Sequence, residues 1–375
     1  MKPDTIFCLP VALSVVGVTG LGQLLSRGPF TPYLSGAILY ALTRSPLKFR
    51  QALRAQLELY VSSDRVNVAI TALKGVFALG VARVLNRYLS LLAQNNMRLS
   101  SEQNSYRWPR EIAVVTGAAG GFGSHITRKL AAKGVTVIAV DITEKLPDSL
   151  NLPKVFYYRC DITSRDAVMD LAARVKQERG TPSILINNAG ILYTHSIIDA
   201  SESAIKRQYD VNIISQYWTL QAFLPGMIKQ RKGHVVAIAS MAAFHGVSGL
   251  GAYSQTKAAV LSLHESLGQE LRLYHDAPEV NFSVVHPTYG RTPMTNGFRK
   301  QIDKAGAWMI EPEDVAEAVV AQVFSGRGSQ VILGGSGGLL GSILRGLPHW
   351  MSYAVLRMGE SQLNMYDMGP ERAGM

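Results

Sequence analysis

Apolar positions along the chain fall into two regimes. Up to about residue 110 they form long runs: Thr5–Ser26 and Gly28–Thr43 hold no charged residue. Val66–Gln94 then repeats Ile70, Leu73, Phe77, Val84, Tyr88 and Leu91 at helical spacing. From Ile112 onward the runs are short, and most end at glycine, asparagine or aspartate. Ile112–Thr116, Val135–Val140, Val155–Cys160, Ser183–Ile186, Asn281–Val285 and Gln330–Leu333 read as buried parallel strands. Helical patterns lie between them near 122–133, 164–179, 203–229, 253–273 and 312–324. This alternation predicts an α/β fold, a Rossmann doubly wound parallel sheet of about seven strands. The expected domains are an N-terminal extension at 1–110, the sheet domain at 111–335 and an apolar C-terminal extension at 336–375, with polar Asn95–Pro109 as a linker.

Charge changes the reading of the first part. Of the net +11, residues 1–110 supply +9, from 13 Lys/Arg against four acids. These basic residues interrupt apolar segments instead of forming a solvated patch with aromatics, which excludes nucleic acid and fits anionic lipid headgroups. Ile6–Leu25 is long enough to cross a hydrocarbon core of about 30 Å. Gly28–Thr43, with Pro29 and Pro32, is too short and broken to span alone. The flank Arg27, Arg44, Lys48, Arg50 and Arg54 is expected on the cytosolic side. A cleaved signal peptide competes, although Lys2 is offset by Asp4. The Val66–Gln94 helix either lies on or partly in the membrane or packs on the sheet domain. The tail Gly334–Gly359 either lies on the membrane beside a substrate entry path or covers the sheet or a second subunit. Cys8 and Cys160 suggest no disulfide, and no metal-ligand spacing occurs.

Candidate chemistry gathers in 112–257. Gly117, Gly121 and Gly123 follow a strand and open a helix, which suits a tight turn, close backbone approach to a pyrophosphate, and helix–strand packing. Asp141 ends the second strand, 24 residues beyond Gly117, where a carboxylate grips ribose hydroxyls and repels a 2′-phosphate. No basic residue lies in Ala118–Gly121, so NAD is expected over NADP. Asp161 ends the third strand, where an adenine amino group is read. Tyr253 and Lys257 stand one helical turn apart, a phenol beside an ammonium that favours its ionisation.

Thr116-Gly-x-x-x-Gly-x-Gly123, Asn187-Asn-Ala-Gly190, Ser240 and Tyr253-x-x-x-Lys257 resemble, in order and spacing, the motifs of the short-chain dehydrogenase/reductase family over about residues 110–335. The resemblance implies Tyr253 as general acid/base, Lys257 holding the nicotinamide ribose, Ser240 fixing the substrate oxygen and Asn212 holding a water in the proton relay. It implies cofactor contacts from Gly117, Gly121, Phe122, Gly123, Asp141, Asp161, Ile162, Asn188, Ala189, Gly190, Tyr253, Lys257, Pro287 and Thr292. Thr288 replaces the glycine usual after Pro287. His245 and His286 receive no chemical role.

The arrangement of apolar anchor, basic flank, sheet domain and apolar tail looks most like the retinol dehydrogenase and 17β-hydroxysteroid dehydrogenase types of the endoplasmic reticulum and lipid droplets. That likeness implies a lipophilic alcohol as substrate, a catalytic domain facing the cytosol and a homodimer. An NADPH-dependent carbonyl reductase and a catalytically idle lipid-droplet scaffold are the rival readings.

Overall fold

The computed structural model describes residues 32–304, 306–334, 338 and 341–360. The predicted span Ile6–Leu25 and Cys8 therefore lie outside the described residues. The chain divides into two compact units after Gln94.

The described residues of the first unit form three helices: α1 (Pro32–Thr43), α2 (Leu47–Glu58) and α3 (Ser63–Gln94). The short run broken by prolines is thus helical from Pro32 on, with Pro32 at its first position, where a missing N–H costs nothing. Helix α1 packs on α3 through Gly36, where an added Cβ would lie 2.9 Å from Phe77 Cε2. Much of the remaining apolar surface is open, including Tyr33, Tyr40, Leu79 and Leu85. Among the described residues, α3 is the one helix long and apolar enough to cross a membrane.

The second unit is built on seven parallel strands: β1 (Ile112–Thr116), β2 (Thr136–Asp141), β3 (Val155–Arg159), β4 (Ile184–Asn187), β5 (Gly233–Ile238), β6 (Val280–Pro287) and β9 (Ser329–Leu333). They form one sheet in the order β3-β2-β1-β4-β5-β6-β9. A separate pair, β7 (Tyr289–Gly290) and β8 (Met309–Ile310), lies in the connection after β6, with the short helix α9 (Arg299–Lys304) between its strands. Side chains alternate between two cores, as the two-residue period of a strand requires. Val114, Ile138, Leu185 and Val235 meet one set of helices: α5 (Arg165–Glu178), α7 (Ser215–Gln230) and α8 (Gly251–Leu273). Ala113, Val137, Ile186 and Val236 meet the other, α4 (Gly121–Ala132) and α10 (Pro312–Phe324). Burial on both faces explains why these strands read as continuous apolar runs.

The helix read over 203–229 contains a change of winding. Helix α6 (Glu202–Tyr209) passes through a π-turn at Asp210–Ile214 before α7 begins. The polar segment after Gln94 packs with the sheet. Asn95 donates to Gly328 O (3.0 Å) and accepts from Gly328 N (2.8 Å), and Arg98 reaches Asn281 Oδ1 (3.0 Å). Trp108 stacks on Phe324 with ring centroids 4.0 Å apart. Its polarity serves these backbone contacts. In the C-terminal segment, Leu344 is buried and Arg345 Nε donates to Phe244 O (2.8 Å). Helix α11 (His349–Glu360) exposes Trp350 and Tyr353.

Candidate active site

The carboxyl ends of β1, β2 and β4 build a cradle. Gly117 and Gly121 both have positive φ, +65° and +51°, which L side chains resist. A Cβ on Gly123 would lie 2.0 Å from Gly117 O, so α4 starts hard against the turn. At Gly120 an added Cβ would meet nothing within 4 Å, and at Gly121 only the Thr292 side chain at 3.7–3.8 Å. The loop is therefore tight behind and open in front. The leading N–H groups of α4 have no partner within the helix and face an anion-binding position by helix geometry.

Asp141 ends β2 with its carboxylate held by three backbone N–H groups, from Ala119 (2.9 Å), Ile142 (2.8 Å) and Thr143 (3.3 Å). Asn188 is turned inward: its Nδ2 donates to Thr116 O (2.9 Å) and Gly117 O (3.1 Å). The backbone N–H groups of Asn188 and Ala189 donate to Thr116 Oγ1, each at 3.1 Å. The two motifs are thereby clamped together, with Asn188 shaping the cradle wall.

Asp161 Oδ1 accepts from Thr163 N (3.0 Å) and Thr163 Oγ1 (2.7 Å), while Arg207 stands 3.6 Å from Oδ2. Partial burial acts to raise its pKa, but the Thr163 hydrogen bonds and Arg207 outweigh it and hold the carboxyl below its ordinary value. Ile162 is buried in the sheet core. Phe122 packs against Gly290, where a Cβ would lie 2.4 Å from Phe122 Cζ. Pro287 ends β6 opposite Leu333. Thr292 caps the next turn with Thr295 in a reciprocal capping box.

The second half of the site stands on β5, the π-turn and α8. Lys257 is buried and donates through Nζ to Ile238 O (2.9 Å), with Nζ 5.6 Å from the centre of the Tyr253 ring. Burial pushes the Lys257 pKa down to about 8. Burial likewise pushes Tyr253 up to about 12, the Ser240 hydroxyl opposing through a hydrogen bond and Tyr289 adding to the rise. The phenol is therefore not lowered by Lys257 in the resting protein, because burial disfavours either charge.

Asn212, fully buried in the π-turn, pairs with Ile191 through Nδ2 to O (2.9 Å) and N to Oδ1 (2.8 Å). Its Nδ2 also donates to Thr256 Oγ1 (3.1 Å), and Gln216 Nε2 donates to its carbonyl (3.0 Å). A Cβ on Gly190 would lie 3.4 Å from Asn212 Oδ1 and 3.5 Å from Lys257 Nζ, so the cradle wall meets the reactive group there.

Beside Tyr253 is an apolar cluster of Leu192, Leu250, Phe298, Ile302 and Met309, with Val247, Tyr289 and Met294 packed against it. Sequence reasoning missed Tyr289 and His286. Neither follows a motif: His286 meets the Ser240 carbonyl from the end of β6, and Tyr289 joins the site through the path of the chain after it.

A family profile described as short chain dehydrogenase matches residues 111–303. Dehydrogenase RED2 of Cochliobolus heterostrophus is 34% identical over 210 residues, 56% of this chain and 78% of the relative. Epidermal retinol dehydrogenase 2 of Mus musculus is 34% identical over 194 residues, covering 50% and 62%. Estradiol 17-beta-dehydrogenase 11 of Macaca fascicularis is 31% identical over 216 residues, covering 56% and 70%. With its seven-stranded parallel sheet and ordered motifs, this chain belongs to the short-chain dehydrogenase/reductase family and is an oxidoreductase acting on CH–OH donors.

Proposed function

We propose that this chain is a membrane-attached, NAD-dependent dehydrogenase oxidising an alcohol on a lipophilic substrate of the retinoid, steroid or fatty-alcohol class. The observation that carries the reading is the group of half-buried Ser240 and Tyr253 with buried Lys257, beside the apolar cluster of Leu192, Leu250 and Phe298. A mainly apolar wall with a few convergent polar groups suits a greasy substrate held by its single oxygen.

The glycine cradle fits a dinucleotide: it is open at Gly120, and Gly117 and Gly121 adopt a conformation that close backbone approach requires. Gly117, Gly121, Gly123 and the α4 N-terminus would hold the pyrophosphate, Asp141 the adenosine ribose, and Lys257 the nicotinamide ribose. Bound there, the nicotinamide supplies the hydride acceptor. Ser240 would orient the substrate oxygen against Tyr253, and Tyr253, as the phenolate that a protonated Lys257 and the nicotinamide's positive charge would favour, would take the hydroxyl proton as the carbonyl forms. Lys257, balanced near neutrality, stabilises the phenolate when protonated. A 2′-phosphate would face the Asp141 carboxylate, already fixed by three N–H donors, which supports NAD.

The helix α3 and the basic flank support attachment to the endoplasmic reticulum or lipid droplets with the sheet unit in the cytosol. Helices α7 and α8 leave Tyr217 and Leu273 exposed, which supports a homodimer through them. Nicotinamide reduction by the detergent-purified chain, with NAD and NADP compared on retinol, a steroid alcohol and a long-chain alcohol, tests the reading. Turnover with NAD is expected. A preference for NADP would overturn the cofactor part, and failure on all three alcohols the substrate part.

A further inference from the structure

His286 lies on β6, fully buried, with its ring against Phe244 at 4.5 Å between centroids. Its Nδ1 is 3.0 Å from the carbonyl oxygen of Ser240 and its Nε2 is 3.2 Å from Gln330 Nε2. An amide nitrogen only donates and a carbonyl oxygen only accepts. Gln330 must therefore donate to His286 Nε2, and His286 Nδ1–H must donate to Ser240 O. This selects one neutral tautomer. Ser240 O also accepts from Ala243 N (3.0 Å), while Ala239 N donates to Val285 O (2.8 Å). The residue bearing the hydroxyl is thus tied to β6 from both sides, and its own Oγ accepts from Ala242 N (3.2 Å) as it meets the Tyr253 phenol.

We propose that His286, its tautomer set by the Ser240 carbonyl and Gln330 together, is a positioning residue that holds Ser240 in register with Tyr253. The hydrogen bonds run laterally from β9 through β6 to the end of β5, three neighbouring strands. The groups facing His286 are Lys257 and His264 from α8, Ser240 and Phe244 from the segment after β5, and Gln330 from β9. Burial, reinforced by Lys257, holds His286 neutral down to about pH 4, the Ser240 carbonyl acting the other way. A second cation is thereby kept away from Lys257. The role rests on the reading of Ser240 and Tyr253 proposed above.

Gln330 is exposed, so it can be changed without opening the core. In Gln330→Leu the donor to Nε2 is gone, and the Ser240 carbonyl alone holds the Nδ1–H tautomer. In Gln330→Glu an acceptor faces Nε2, and only the imidazolium can then donate both to the introduced carboxylate and to Ser240 O. The test uses the full chain in detergent micelles with 15N-labelled histidine, and His286→Asn identifies the signal. The parent is expected to show the Nδ1–H tautomer, unchanged from pH 6 to 9, whereas Gln330→Glu should titrate within that range. This measurement needs no turnover and stands whatever the substrate.

In the second arm, NAD-linked oxidation of retinol is followed against pH. Gln330→Glu should lose little at pH 6 and roughly tenfold in kcat at pH 9, where the imidazole is neutral, with KM for NAD unchanged. His286→Asn, which keeps a donor, should retain more activity than His286→Leu. An Nε2–H tautomer in the parent, or a loss in Gln330→Glu that is the same at every pH, would overturn the proposal. Full activity in Tyr253→Phe would instead overturn the reading on which it rests, leaving the tautomer result intact.

Discussion

Tyr253 and Lys257 stand one turn apart on α8 with their pKa values moved from their ordinary ones by burial, up to about 12 and down to about 8. The folded pKa of Lys257 lies below its ordinary 10.5, so the charged form is disfavoured by folding. The stability cost is fully present below pH 8 and fades as pH rises from 8 toward 10.5. A shift of this size corresponds to roughly 3 kcal/mol, of which about 1 kcal/mol is offset by the hydrogen bond to Ile238. Lys257→Met should therefore be inactive yet melt roughly 5 °C higher at pH 7, with the gain shrinking at pH 10. Melting curves at the two pH values check this. At the nucleotide end, Asp141→Ala should cut the NAD-over-NADP ratio of kcat/KM by roughly tenfold or more, by removing a like charge from the 2′ position. Initial rates with both cofactors measure it. Tyr253 and Lys257 were legible because a helix brings residues four apart onto one face. His286 was not, because its partners lie 46 and 44 residues away in sequence.

The glycine turn separates two kinds of constraint at the level of elements. Gly123 has no room, since a Cβ would meet Gly117 O at 2.0 Å, whereas Gly120 has space in front. Gly123→Ala should lower Tm and abolish NAD binding together. Gly120→Ala should leave Tm within about a degree and weaken NAD binding alone, because its methyl meets no protein atom within 4 Å but narrows the turn that the dinucleotide approaches. Thermal melting with and without NAD distinguishes the two; equal loss of Tm in both variants would contradict this account. The strands and this turn could be read in advance because buried parallel strands are apolar throughout and positive φ selects glycine. The π-turn at Asp210–Ile214 could not, since one residue of extra winding leaves the apolar spacing nearly unchanged. Nor could the inward turn of Asn188, which depends on carbonyls at Thr116 and Gly117 rather than on its own motif.

Among the described residues, the sheet unit keeps most of its apolar side chains inside, whereas those of the helical unit lie largely outside. That inversion is what a lipid solvent selects, and among the described helices α3 alone is both long and apolar enough to span. The full chain is expected to stay with membranes through alkaline carbonate extraction. Release into the supernatant would contradict the attachment. Sequence polarity placed the division near 110 because 95–109 lacks apolar runs. In three dimensions that segment spends its polar groups on the loops of the sheet unit, and the division falls after Gln94. The central claim is that Tyr253 takes the proton from an alcohol during NAD-linked oxidation. Its most direct test is NADH formation from retinol by the full chain beside Tyr253→Phe, with NAD affinity of both proteins measured by binding. The expected result is a loss of roughly a thousandfold or more in kcat with NAD affinity preserved. Comparable turnover by the two proteins would contradict it.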